Sequence, residues 1–194
     1  QFNRKEGGAL EPLPQKNIDT GMGLERLAAV MQGKENNFET DLFSPIIKEI
    51  VSGCQGIKVS EHKEALYAIA DHIRAVTFAI YDGVLPSNED RGYVVRKVIR
   101  KSVLHLASLG IKQPFLYKLV PVLSAVMKKP YPELGQRKEN ISQIILAEEK
   151  NFIATLNTSA TLFNDKFAAS KDRQDPESIG KIAFQLYDTY GIPL

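Results

Sequence analysis

The spacing of apolar residues changes near residue 36, and the change divides the chain into a mixed beginning and a helical remainder. In the first part, the residues around Phe2 predict a short strand, interrupted by a Gly7-Gly8 turn and by Pro12 and Pro14. A second strand is expected over 17–20. Leu24, Leu27, Ala28 and Met31 then recur at i, i+3, i+4 and i+7, which predicts a helix from about residue 23 with Gly33 as its stop.

Beyond this point nearly every apolar run has a helical period. Ser44-Pro45 reads as an N-cap followed by a first-turn proline, with Ile46, Ile47, Ile50 and Val51 buried. Ser60 is expected to cap a helix that reaches Ile80, with Leu66, Ile69, Ala70, Ile73 and Thr77 inward and Asp82-Gly83 at its end. Pro86-Ser87-Asn88 opens the next helix; Glu89 and Asp90 fall in its first turn, where negative charge suits the dipole, and Gly110 stops it. A helix over 114–127 should kink at Pro121, whose ring clashes with the preceding turn. A long helix over 136–167 places Ile141, Ile145, Phe152, Leu156 and Phe163 inward. A last one, around Ile182, Ala183 and Leu186, should finish at Gly191-Ile192-Pro193. The expected fold class is mainly α: a small α/β piece over 1–35, then a helical, bundle-like domain over 36–194.

Composition narrows the possibilities without redirecting them. At 194 residues and 43% hydrophobic content the chain can bury a sizeable core. Lys and Arg number 25 against 23 Asp and Glu, so any basic surface must be local. A single cysteine, Cys54, excludes an internal disulfide framework, argues against a zinc site and fits a reducing compartment. No apolar run approaches the roughly 20 residues of a membrane span, and the opening QFNRKEGG lacks the apolar core of a signal peptide. A cytoplasmic location with no membrane partner is expected. Because the sequence starts at Gln1 without a methionine, it reads as a piece of something longer.

Two constellations carry candidate chemistry. In Asp19-Thr20-Gly21-Met22-Gly23-Leu24-Glu25-Arg26, two glycines sit at a strand-to-helix junction, where backbone can approach a ligand and the helix start favours anions. Arg26 can fork onto a phosphate and Asp19 can accept from a cationic amine. The spacing matches neither the Rossmann fingerprint nor the P-loop, so a purely structural turn stays open. In the helix after Asn88, Val94, Val95, Val98, Ile99, Val103 and Leu106 share one side at about 100° per residue, and Arg96, Lys97, Arg100 and Lys101 share the other. Such a face can track a phosphate backbone or can be a solvated surface. No Asp or Glu occurs between Arg91 and Met127, so the block is not neutralised along its own helix. Asp71-His72 invites a metal-hydrolase reading, but only His62, His72 and His105 exist, and a core hydrogen bond for His72 is the expectation.

Three strings give these residues a family. IDTGMGLERLAAVMQG resembles the third signature motif of class II aminoacyl-tRNA synthetases in its alanyl form. ADHIRAVTFAIYDGVLPSNEDRGYVVRKVIRK and FQLYDTYGIP resemble two further alanyl signatures in the same order, so the likeness extends over the whole chain. The resemblance implies activation of alanine with ATP and Mg²⁺ and its transfer to tRNA(Ala). It assigns the alanine ammonium to Asp19, a pocket sized for a methyl side chain to Gly21, close backbone approach to Gly23 and ATP phosphates to Arg26.

The same resemblance brings Asn88 and Asp188 to the wobble G·U pair of the tRNA(Ala) acceptor stem, with Arg91, Arg96, Lys97, Arg100 and Lys101 on the phosphate backbone. The chemistry is apt: wobble pairing exposes the guanine amine in the shallow groove of A-form RNA, where a carboxylate can accept from it. Lys97 and Lys101 stand where many relatives carry arginine, which removes bidentate contacts there. The first two class II motifs, the editing domain with its zinc and a C-terminal domain are not in this sequence. The piece alone is therefore expected to read tRNA without activating alanine. A protein-interaction module of the same ancestry, using Phe115, Leu116 and the long helix as its surface, is the alternative.

Overall fold

The computed structural model describes the backbone of residues 2–15, 21–54 and 58–169, together with 177, 179–181 and 184. Contacts divide the chain into two compact units, Gln1–Thr40 and Asp41–Leu194.

The first unit opens with an antiparallel hairpin of β1 (Phe2–Arg4) and β2 (Leu10–Pro12), with Phe2 opposite Pro12 and Arg4 opposite Leu10. Gly7 and Gly8 make its turn at positive φ, 92° and 83°, where a side chain would strain the backbone. β2 escapes the hydropathy pattern because it is three residues long and ends in a proline, tolerable only on an edge. The strand expected over 17–20 lies outside the described residues. Helix α1 (Leu24–Met31) forms and stops before Gly33 as expected. Within this unit the apolar stripe is largely uncovered: Leu24, Leu27 and Met31 are exposed and Ala29 is the buried residue of the helix. In this unit the packing on α1 comes from the short 3-10 turn Asn37–Glu39, too small to cover the whole apolar stripe.

In the second unit α2 (Ser44–Gly53), α3 (Lys63–Tyr81), α4 (Asp90–Ser108), α5 (Leu119–Val126) and α6 (Leu134–Ala169) enclose one core. Its fully buried residues include Ile46, Ile50, Ile69, Ile73, Ile99, Leu119, Ile145 and Phe152. All five inward residues expected on α3 are buried, and α3 packs most extensively on α4. The caps differ in detail. Ser44 is already helical, because Phe43 adopts helical backbone and accepts from the Ile47 amide at 3.0 Å, so Pro45 falls in the first turn without Ser44 as a cap. Ser60 lies in a 3-10 turn, Val59–Glu61, and His62 precedes α3.

Three further expectations need correction. Pro121 causes no mid-helix kink: a 3-10 turn, Leu116–Lys118, precedes α5, and Pro121 sits in the first turn of that helix, where a missing N–H costs little. Val94 faces solvent, because the apolar arc of α4 is centred on Val95, Ile99, Val103 and Leu106. Phe115 and Leu116 are buried, so they are not available as a partner surface. The helix expected around Ile182 and Leu186 lies outside the described residues.

Helix α6 ties the unit together by more than apolar contact. Near its start, Arg137 donates to the Tyr81 carbonyl at 3.1 Å and lies 5.1 Å over the Tyr81 ring, placing a cation at the C-terminus of α3. Farther along, Glu149, fully buried, accepts from the amides of Phe115, Leu116 and Tyr117 at 2.9, 2.8 and 3.0 Å. Those amides open the 3-10 turn that leads into α5 and have no capping side chain of their own. Burial pushes the Glu149 carboxyl up from its ordinary value, against the opposing pull of the three amides and Lys118.

Candidate nucleic-acid interface

The first-unit constellation is open. A Cβ built on Gly21 would meet nothing within 4 Å, and one on Gly23 would lie 3.7 Å from Arg26 Cδ, an ordinary contact. Gly23 precedes α1 in extended conformation and has no side chain to cap the amides of the first turn, and the Arg26 side chain is exposed beside them. Backbone donors, a helix start and an exposed guanidinium form an arrangement suited to phosphate oxygens. Asp19 lies outside the described residues. Among the described residues no three His, Cys, Asp or Glu side chains converge as metal ligands.

The second-unit constellation is built where α3 turns into α4. Gly83, at φ 93°, ends α3, and residues 84–89 run back over the start of α4. Three features fix this loop. The Ser87 amide donates to the Gly92 carbonyl at 3.1 Å, and the Ser87 hydroxyl donates to the Glu89 carbonyl at 2.8 Å. Asp90 turns the corner at φ 49°, a left-handed conformation that aspartate tolerates better than most residues. Gly92 lies directly beneath, where a Cβ would overlap Ser87 Oγ and the Leu85 carbonyl oxygen.

Asn88 stands exposed at the tip of this loop, and Arg96 Nη1 donates to its Oδ1. Arg96 is not free: its Nε donates to Glu148 Oε2 at 3.2 Å, while Arg100 Nε donates to Oε1 of the same carboxylate at 2.9 Å. The Arg100 guanidinium also lies 5.0 Å over the Phe152 ring. Glu148 is 6% exposed, Arg96 22% and Arg100 16%. The basic helix thus carries two kinds of cation. Arg91, Lys97 and Lys101 are exposed, whereas Arg96 and Arg100 point inward to a carboxylate supplied by α6. One negative charge against two positive leaves the cluster net cationic. Asp188 lies outside the described residues.

Behind α4, His72 Nδ1 lies 3.0 Å from Ser102 Oγ. The Ser102 hydroxyl donates its single hydrogen to the Val98 carbonyl at 2.9 Å, so it must accept from His72, which fixes the proton on Nδ1. The expected core hydrogen bond is present. Burial and then His105 push His72 below its ordinary 6.5, with Asp71 opposing and Lys101 adding to the fall.

All of the chain, residues 1–194, matches the sequence model of a family described as tRNA synthetases class II (A). The chain is 51% identical over 197 residues to a protein of Ligilactobacillus salivarius named alanine–tRNA ligase. It is 50% identical over 196 residues to one so named from Lactobacillus helveticus and 46% identical over 196 residues to one from Geobacillus thermodenitrificans. Each alignment takes in 100% of this chain and 22% of the relative's length.

Proposed function

Because the chain belongs to the class II tRNA synthetases, we propose that it is part of an alanine–tRNA ligase whose residues 36–194 form a helical, bundle-like domain that reads the tRNA(Ala) acceptor stem. The observation that carries this reading is the exposed Asn88 amide, held by Arg96 at the tip of the loop that leads into the helix on which Arg91, Lys97 and Lys101 are exposed. Phosphate contacts from such cations set the register of a helix without reading its sequence, and a fixed amide reads one base pair. Asp188 is proposed as the carboxylate partner of Asn88 at the G·U pair. Arg96 and Arg100 are proposed as the support of that amide, not as direct phosphate ligands.

Residues 1–35 are proposed as the last part of the catalytic domain. Arg26 and the α1 amides would bind ATP phosphates, Gly21 and Gly23 would keep the backbone clear for alanine and nucleotide, and Asp19 would take the alanine ammonium. ATP, with Mg²⁺, would supply the adenylyl group that activates the amino-acid carboxylate, with pyrophosphate as the group released. Cytoplasmic location follows from this reading; among the described residues no helix is long and apolar enough to cross a membrane.

Binding of the chain to acceptor-stem microhelices carrying either G·U or G·C at the wobble position tests the proposal. We expect tighter binding to G·U, with the preference abolished in Asn88→Ala. Lys101→Ala should weaken both RNAs alike and lower the salt dependence by about one phosphate contact. Equal affinity of the unaltered chain for both microhelices would refute tRNA reading by this surface.

A further inference from the structure

Resting on the reading of Asn88 as a base-contacting residue, we propose that Glu148 is a positioning residue for recognition: through Arg96 it fixes Asn88 so that only amide N–H donors face the RNA. The base atom opposite Asn88 is then a hydrogen-bond acceptor, a carbonyl oxygen or ring nitrogen.

An asparagine amide is by nature ambiguous, offering an acceptor oxygen and a donor nitrogen that exchange places by a rotation of the terminal torsion. A free, exposed Asn88 would present either. Here Arg96 Nη1 donates to Oδ1, and a guanidinium has donors only, so the flipped amide would set N–H against N–H and the oxygen stays turned toward Arg96. The orientation is only as secure as Arg96. Arg96 is secured by Glu148, whose carboxylate is nearly buried and has an arginine on each oxygen. Arg100 in turn is seated against Phe152, so the second oxygen of Glu148 cannot swing away to release the first. The anchor lies on α6, 52 residues along the chain from Arg96, and is buried where Asn88 is exposed. A donor-only amide complements the proposed carboxylate partner, which can only accept, and together the two distinguish the acceptor and donor edges of one base pair.

Two variants of the full 194-residue chain test polarity and support separately, each read as the ratio of affinities for G·U and G·C microhelices and each checked for folding by its thermal melt. Asn88→Asp keeps a partner for Arg96 but has no donor, and the G·U preference should fall about five- to tenfold. Retained preference in N88D would mean that position 88 accepts, which overturns the polarity assignment. Glu148→Gln leaves one acceptor oxygen for two arginines, and the preference should fall by a similar factor; in the Asn88→Ala background the same change should leave the ratio unaltered.

A Glu148 that merely supports folding would weaken both RNAs equally and keep the ratio, and that result overturns the inference. Should E148Q fail to fold, Arg96→Lys removes the fork that joins Asn88 to Glu148 while leaving Glu148 on Arg100, and preserved preference there refutes the positioning role equally. Absence of any preference in the unaltered chain refutes instead the reading on which this inference rests.

Discussion

Replacing Glu149 by alanine is expected to destabilise the helical unit by about 3–5 kcal/mol and to lower its thermal midpoint by about 10 °C. The carboxylate is the partner of three amides at the start of the turn leading into α5. Phe115 and Leu116, whose amides share Oε1, are themselves buried, so water cannot simply replace the lost acceptor without opening the packing around them. Glu149→Gln should cost less than half as much. Its carbonyl oxygen can still take the Phe115 and Leu116 amides, leaving only Tyr117 opposed by an NH₂ group. Calorimetry or circular-dichroism melting of the two variants measures this ordering, and an alanine variant that melts with the unaltered chain would remove Glu149 from the cap.

The same residue gives a signed pH dependence. The folded-state pKa is raised above the ordinary 4.5, so the folded chain holds this proton more tightly than the unfolded one. The contribution to stability is fully present below 4.5 and is lost as pH rises through the raised value. The glutamine variant should lack this slope.

What the sequence made legible and what it hid follow from the range of the forces involved. Helix positions on α3 and the stops at Gly33, Gly83 and Gly110 depend on neighbours within a few residues, and each was readable from period and turn chemistry. The basic face of α4 is readable too, but the pairing of two of its arginines with one carboxylate is not, since Glu148 lies 48 and 52 residues from the arginines it binds. A local signal did exist. Glu148 and Glu149 fall between Ile145 and Phe152 on the inward arc of α6, and acidic residues at core positions demand partners. Read that way, the pair announces two buried electrostatic sites without saying what fills them. The exposed stripe of α1 is the converse case: the period marks a helix and an apolar stripe, but periodicity does not say which element, if any, covers it.

Substituting Gly92 by alanine should separate local preference from tertiary demand most sharply. Gly92 is in the first turn of α4, and on helix propensity alone Gly→Ala would gain up to about 1 kcal/mol. The surroundings reverse the sign. The new methyl would overlap Ser87 Oγ and the Leu85 carbonyl oxygen, and the second of these is backbone that cannot rotate away. Either α4 or the loop must shift, at a cost of about 1–3 kcal/mol. Shifting the loop breaks the bond from the Ser87 amide to the Gly92 carbonyl and carries Asn88 away from Arg96. G92A is therefore expected to melt lower than the unaltered chain and to lose its G·U preference, although position 92 touches no RNA in this reading. Lys97 and Lys101, the proposed phosphate contacts, lie farther along the helix, so affinity for both microhelices should persist in a non-selective form. A G92A chain that melts higher and still discriminates would mean that the loop does not rest on α4, and the fixed amide at its tip would lose its physical basis.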